Sequence, residues 1–327
     1  MASTRTQRHE PGGDQVLWSG ADGLAAAAAA LRGGGLVAFP TETVFGLGAR
    51  ADDGRAVARI FEAKGRPSFN PLIVHVPDLA AAEALAEFSP AARALAVRFW
   101  PGPLTLVAPL RVGHGLSALV TAGLGTVGLR VPALALSRDL LRAVGAPVAA
   151  PSANPSGRIS ATRAAHVLAG LGGRVDGVLD GPGCGVGVES TILSTDPVRL
   201  LREGGLPSEQ IEAALGHPLD RDVTPGQVTA PGQLASHYAP AVPVRLGAEE
   251  RREGEIVIGF GPVGGDLTLS SAGDLREAAT ALFDALHRAD ALAARRGAHR
   301  IAVAPVPDEG LGRAINDRLR RAAAPRE

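Results

Sequence analysis

The chain has 327 residues, 46% of them hydrophobic, and its 33 cationic side chains are balanced by 33 acidic ones. This length predicts two domains with a core each, and the neutral balance argues against a protein that holds nucleic acid through bulk charge. The single cysteine, Cys184, excludes a disulfide framework and a multi-cysteine zinc site. No signal-peptide or membrane-spanning stretch is present, which predicts a soluble cytoplasmic protein.

The first two-thirds of the chain predict short apolar strands separated, but not regularly, by helices. The predicted strands are 36–39, 72–76, 104–107, 126–131, 148–150, 175–179, 190–193 and 198–201. The predicted helices include 24–31 with Asp22 as its cap, one capped by Asp53, 89–99 with Ser89 as its cap, 137–144, 161–171 and 207–215. Residues 41–48 are predicted to leave the end of the first strand as a loop. Because some neighbouring strands are too close in sequence for helical crossovers, we expect an α/β fold with a mixed sheet.

Residues 217–240 are rich in proline and glycine and predict a long linker, which in a compact protein often serves a function. The remainder predicts a small α/β domain with strands at 256–260 and 301–304 and helices at 274–296 and 311–322. We therefore predict an N-terminal domain at 16–216, a linker or lid at 217–240, and a C-terminal domain at 241–327.

Several common catalytic motifs are absent from the sequence. It contains no P-loop, no H-E-x-x-H zinc motif and no G-x-S-x-G nucleophile elbow. The glycines at 183–187 have the wrong spacing for a dinucleotide-binding fingerprint and do not open a helix. The sequence therefore lacks the motifs that usually indicate a hydrolase, a metalloenzyme or a dinucleotide-binding protein.

Lys64 is the only lysine, so every other cation of the chain is an arginine. A lone lysine in such a background indicates a place where a compact point charge is needed, as in phosphate binding. Taken alone, a chance surface lysine is an equal alternative. Lys64 lies in the run KGRPSFNPL, between a predicted helix and a predicted strand.

Polar residues follow or precede most of the predicted strands. If the strand ends converge, they line one cleft with hydroxyls, amides and four cations: Lys64, Arg66, Arg130 and Arg202. Such a cleft suits a polyanion together with a small zwitterion. Each residue also has a plainer interpretation: a core histidine for His75, ordinary turn residues for Ser152 and Asn154, a solvated sheet face for Thr126 and Arg130, and a linker spacer for Tyr238.

The longer motifs resemble those of the threonylcarbamoyl-AMP synthase family, in its two-domain form. The matching runs are FPTETVFGLG, KGRPSFNPLIVH, FWPGPLTLV, TVGLRVP, APSANPSG, VESTIL, LREG, SHYAP and, in the last helix, AINDRL. The resemblance implies a YrdC-like twisted mixed sheet with flanking helices, followed by a small Rossmann-like α/β domain.

The resemblance also implies a reaction. L-threonine, bicarbonate or CO2, and ATP would give threonylcarbamoyl-AMP and pyrophosphate, with Mg2+ expected to accompany ATP. The product would supply the tRNA threonylcarbamoyl-transfer machinery, with direct tRNA binding weak or absent.

The resemblance implies site residues as well. The implied catalytic residues are Lys64 and Arg66. The implied ATP-binding residues are Lys64, Arg66, Asn70, Thr126, Ser152, Ser160, Arg202 and Tyr238. The implied L-threonine-binding residues are Thr43, His75, Arg130 and Ser190. Ala150 stands where relatives often carry a hydroxyl, so one threonine contact is in question.

Two other classes of function remain open at this point. One is an RNA-binding or ribosome-associated module of the same fold, which the neutral charge and the 3% aromatic content argue against. The other is a carbamoyl-transfer enzyme that uses carbamoyl phosphate, which we expect to carry a zinc finger that this chain cannot build.

Overall fold

The computed structural model describes residues 16–221 and 237–325, which form two α/β units. The elements of the first unit are β1 (Leu17–Trp18), α1 (Gly20–Arg32), β2 (Val37–Phe39), β3 (Gly46–Arg50), α2 (Gly54–Lys64), β4 (Ile73–His75), α3 (Leu79–Glu83), α4 (Pro90–Phe99), β5 (Leu104–Pro109), α5 (Ala118–Thr121), β6 (Thr126–Arg130), α6 (Ala135–Val144), β7 (Val148–Ala149), α7 (Ala164–Leu171), β8 (Gly177–Leu179), β9 (Thr191–Thr195), β10 (Val198–Arg202) and α8 (Ser208–Leu215). Those of the second are β11 (Val244–Arg245), β12 (Glu255–Gly259), β13 (Leu267–Thr268), α9 (Leu275–Arg296), β14 (Arg300–Val303) and α10 (Leu311–Ala323).

The first unit is built on a mixed sheet, as predicted. Across the described residues its ten strands run in the order β1-β8-β2-β3-β7-β4-β6-β5-β9-β10. The sheet combines parallel pairs such as β4–β6 with antiparallel pairs such as β5–β6. The parallel register places His75 directly beside Arg130, so the ends of β4 and β6 present both side chains at one place.

One predicted loop is partly a strand. Residues 41–48 were expected to leave the sheet as a loop, but Gly46–Arg50 returns antiparallel to β2. The prediction was wrong there because Gly46 and Gly48 interrupt the apolar pattern of the strand. Gly48 is required by packing, since a Cβ there would lie 2.8 Å from a ring carbon of Phe39.

The helix caps explain where several elements begin and end. Asp53 accepts hydrogen bonds from the amides of Arg55 and Ala56, and Ser89 accepts one from Ala92, so both predicted caps are confirmed. Asp22 is not a cap, because α1 begins earlier and has Ser19 at its N-cap. Helix α2 ends at Gly65 with φ at 61°, a left-handed conformation that suits glycine, and this leaves Lys64 as its last residue.

The second unit is a four-stranded parallel sheet in the order β11-β14-β12-β13, which confirms a small α/β domain of Rossmann-like type. Its core continues into the first unit, since Val44, Ile159 and Val188 pack in the same apolar cluster as the buried face of α9. The two units are therefore in direct contact through apolar side chains.

Most of the predicted linker or lid at 217–240 lies outside the described residues, which lack 222–236. The boundaries at 216 and 241 and the lid itself stay predictions. Among the described residues, no helix combines the length and the apolar character needed to cross a bilayer.

Candidate active site

A partly open cavity with about 570 Å³ of empty space lies where several strand ends meet the second unit. Its lining residues are Thr41, Thr43, Val44, Gly46, Arg66, Ile73, His75, Arg130, Ala150, Pro151, Ser152, Glu189, Ser190, Arg202, His237 and Tyr238. All four predicted threonine-binding residues and four of the eight predicted ATP-binding residues are therefore brought together.

Arg130 is the centre of one side of the cavity. It is buried, and its Nη1 donates a hydrogen bond to Thr43 Oγ1 at 2.9 Å. Its Nη2 lies 2.6 Å from a carboxylate oxygen of Glu42, and both side chains are nearly buried. The other carboxylate oxygen of Glu42 is buried and has no hydrogen-bond partner among the described residues. The guanidinium is thus held by its neighbours in a fixed orientation toward the cavity.

Ser190 and Arg202 form a second group of residues in the cavity wall. The Ser190 hydroxyl lies 2.7 Å from that of Thr105, and Arg202 donates to the Ser190 carbonyl through Nη2 at 2.8 Å. Ser190 precedes β9 and Arg202 ends β10, so the antiparallel β9–β10 pair brings them together. Arg202 therefore supplies a second buried guanidinium, which fixes the backbone at Ser190.

Burial sets the ionisation of these groups. It lowers the pKa of His75 to about 3, with help from the Arg130 charge, so the imidazole is neutral at physiological pH. Burial also lowers the pKa of Arg66 and that of Arg202 to about 10, opposed in both by Tyr238. The cavity therefore presents cations beside a neutral imidazole at neutral pH.

Lys64 does not line the cavity, contrary to the predicted cleft of four cations. Its Nζ donates to the carbonyl of Ser152 at 2.6 Å and to that of Asn154, directly behind the cavity wall. Burial, together with the charges of Arg66 and Arg174, lowers the pKa of Lys64 well below its usual value. Through these two hydrogen bonds, Lys64 fixes the loop that carries Ser152.

Three other predicted ATP residues also lie outside the cavity wall. Asn70 is buried, and Ser160 donates its hydroxyl to Glu189 at 2.6 Å. Thr126 lines a second, smaller cavity with Val107 and Gly128. Thr126, Gly128 and Arg130 share one face of β6 because alternate residues of a strand point the same way, so both cavities open on the same sheet face. The role of these three residues stays a prediction.

The described residues resume at 237 after 221, and the first two of them, His237 and Tyr238, line the cavity. Tyr238 is buried and has a left-handed φ of 62°, and its ring is tilted by 31° against that of Phe283 on α9, with the ring centres 5.5 Å apart. His237 was not predicted, and neither were the carboxylates Glu42 and Glu189 in or beside the wall. Each lies next to a predicted residue, and Glu42 and Glu189 also belong to the polar clusters at strand ends that are predicted to line the cleft, without an assigned role.

The predicted Mg2+ has no protein-built site among the described residues. They contain no group of three or more histidine, cysteine, aspartate or glutamate side chains arranged to hold a metal. The two carboxylates at the cavity, Glu42 and Glu189, are paired with Arg130 and Arg318. These residues do not fit a resident metal ion.

Comparisons with known proteins agree with this arrangement. The family model described as Telomere recombination, which covers Sua5, YciO and YrdC proteins, matches residues 29–204. The model of the threonylcarbamoyl-AMP synthase C-terminal domain matches residues 206–324. The threonylcarbamoyl-AMP synthase of Bacillus subtilis is 43% identical, over 93% of this chain and 93% of its own length.

Two archaeal comparisons extend the likeness to the whole fold. The threonylcarbamoyl-AMP synthase of Pyrococcus abyssi is 42% identical, over 91% of this chain and 93% of its own. The crystal structure of Sua5 from Pyrococcus abyssi complexed with L-threonine superposes with a TM-score of 0.85, at 38% identity, over 94% of this chain and 98% of that one. The chain belongs to the threonylcarbamoyl-AMP synthase family, in the Sua5-type form that joins a YrdC domain to a Sua5 C-terminal domain.

Proposed function

We propose that the described cavity is where this threonylcarbamoyl-AMP synthase joins ATP, L-threonine and bicarbonate or CO2. The enzyme is a nucleotidyltransferase whose product serves N6-threonylcarbamoyladenosine formation in tRNA. The observation that supports the proposed site most is the meeting of Arg66, Arg130 and Arg202 with neutral His75 in one cavity. Separate cationic pockets would not serve a reaction between an amino acid and a nucleotide.

The side of the cavity around Arg130 is proposed to hold L-threonine. A guanidinium can bind a carboxylate through two parallel hydrogen bonds, and Thr43, in contact with Arg130, and Ser190 supply hydroxyls to the same cavity. His75, being neutral, offers one donor and one acceptor without repelling an ammonium group. Ala150 lines the cavity with only a methyl group, so the threonine contact questioned from the sequence is not supplied by its side chain.

The side around Arg66 and Arg202 is proposed to hold the phosphates of ATP, with Ser152 and Tyr238 beside them. Between this cavity and Thr126 lies a small apolar cluster of Ile73, Val107 and Ile192 on the sheet. Ile73 of this cluster lines the cavity, and an apolar side chain there suits a purine base. We propose that ATP binding also depends on three residues directly behind the cavity wall: Lys64, Asn70 and Ser160. Lys64 would either fix the Ser152 loop or turn toward the phosphates.

The proposed chemistry depends on positioning and charge. The threonine amine adds to CO2, and a carbamate oxygen attacks the α-phosphorus of ATP as the bond to pyrophosphate breaks. No protein nucleophile is required, and the arginines stabilise the charge that develops on the phosphate oxygens. Mg2+, if used, enters with the ATP phosphates; the described residues build no site for it, so no step depends on a protein-held metal.

The proposed partners and location follow from the product. A labile adenylate has to be passed to the proteins that place threonylcarbamoyl on tRNA, which favours the cytoplasm, where tRNA is modified. The lid at 217–240 would protect the adenylate from water. The partner proteins, the cytoplasmic location and the protective lid are predictions.

The proposal is tested by pyrophosphate release from ATP by the full-length chain. We expect release that requires both L-threonine and bicarbonate, with L-serine a poor substitute. Release that is independent of threonine would contradict the proposal. RNA affinity that survives moderate salt, without pyrophosphate release, would favour the RNA-binding alternative.

A further inference from the structure

A buried arginine of the second unit reaches into the first. Arg318 lies on α10, and its side chain is fully buried. Its Nε donates to a carboxylate oxygen of Glu189 at 3.0 Å, and its Nη1 donates to the carbonyl of Glu203 at 2.6 Å. Arg318 is therefore a fully buried polar connection between the two units, which are also joined nearer the surface by the Arg163–Asp284 and Arg313–Glu209 pairs.

Glu189 places a negative charge in the wall of the cavity. Its second carboxylate oxygen accepts the Ser160 hydroxyl at 2.6 Å. Burial alone would raise the pKa of Glu189, but the charges of Arg318 and Arg202 lower it overall, so the carboxylate is ionised at neutral pH. A bare carboxylate here would repel a triphosphate and attract the nearby Arg202 guanidinium.

Arg318 also supports a second residue of the wall. Its guanidinium carbon lies 5.7 Å from the centre of the Tyr238 ring, a cation–π distance. Tyr238 lines the cavity and carries a left-handed φ, a conformation that a non-glycine residue keeps only when its surroundings hold it. Arg318 itself does not line the cavity; it contacts Glu189 and Tyr238 from behind.

We infer that Arg318 is a positioning residue for adenylate formation: by neutralising Glu189 and holding Tyr238, it keeps the wall of the cavity cationic toward ATP. This inference rests on the proposed binding of ATP in the cavity. It gives the C-terminal domain a definite task, since a side chain from α10 holds two residues of the cavity wall, Glu189 and Tyr238. L-threonine, on the side of Arg130, does not depend on that task.

The test uses four variants of the full chain. Arg318→Met removes the charge, Glu189→Gln removes its partner's charge, and the double variant removes both. Arg320→Met is the matched control, because Arg320 is exposed on the same helix. The readouts are the KM for ATP in pyrophosphate release, the Kd for L-threonine without ATP, and the melting temperature.

We expect Arg318→Met to raise the KM for ATP about tenfold or more and to leave the Kd for L-threonine within about twofold. Adding Glu189→Gln to Arg318→Met should recover most of the ATP affinity, because the unpaired negative charge is gone. If Arg318 had only a structural role, Arg318→Met would lower the melting temperature without raising the KM for ATP more than the Kd for L-threonine. Arg320→Met should match the wild type in all three readouts.

Two results would overturn the inference. One is a double variant that binds ATP no better than Arg318→Met; the other is an Arg318→Met protein with an unchanged KM for ATP. The variant Arg202→Met shows whether only the role of Arg318 is wrong or whether the proposed ATP site is wrong as well. If Arg202→Met raises the KM for ATP while Arg318→Met does not, only the inference fails; if neither does, the proposed ATP site fails as well.

Discussion

Replacing Arg130 by methionine removes the guanidinium proposed to bind the carboxylate of L-threonine. Two charge-assisted hydrogen bonds, taken at about 1.5 kcal/mol each because Arg130 already contacts Glu42 and Thr43, amount to about 3 kcal/mol. The Kd for L-threonine should therefore rise about 100-fold, as measured by isothermal titration calorimetry without ATP.

The same substitution also leaves Glu42 nearly buried and unpaired. Removing one partner of a buried pair costs about 3–5 kcal/mol, so Arg130→Met should melt at a lower temperature. The double variant Arg130→Met/Glu42→Gln should recover much of this stability without recovering threonine binding. Arg142→Met, which breaks only an exposed pair with Asp139, is the control for both readouts. A double variant that binds L-threonine within about threefold of the wild type would refute the reasoning.

Three further predictions concern other buried groups. Lys64→Ala leaves the carbonyls of Ser152 and Asn154 without their donor and should abolish threonine-dependent pyrophosphate release; near-normal turnover would contradict this. His75, with a pKa of about 3 when folded and about 6.5 when unfolded, takes up a proton on unfolding below pH 6.5. Stability should accordingly fall as pH drops from 6.5 toward 3, by about 2 kcal/mol at pH 5 from this group, as measured by urea unfolding; equal stability at pH 7 and pH 5 would contradict it. Burial raises the pKa of the Cys184 thiol to about 12, so a thiol reagent at pH 8 should label it only after denaturation, and rapid labelling of native protein would count against the described packing.

Much of the fold was predictable because its signals are local. The apolar runs gave most strands, and caps such as Asp53 and Ser89 gave helix starts. The β3 strand was missed because its glycines carry no apolar pattern; close packing against Phe39 selects them, and packing is not visible in sequence. The order of strands in the sheet depends on crossovers that local patterns do not specify.

The site was predictable to the extent that strand ends converge. Residues that end or flank strands, such as His75, Arg130, Ser190 and Arg202, do meet. Lys64 was expected among them, but its direction is set by backbone carbonyls about 90 residues further along the chain. Contacts between the two units are equally invisible in sequence, which is why Arg318 stood only as part of a family signature.

The central claim is that one cavity holds an amino acid and a nucleotide side by side. The most direct measurement is a crystal structure of the full chain with L-threonine and a non-hydrolysable ATP analogue. We predict the threonine carboxylate within hydrogen-bond distance of Arg130, and the phosphates within reach of Arg66 and Arg202. Ligands found in separate cavities, or phosphates remote from both arginines, would contradict the account.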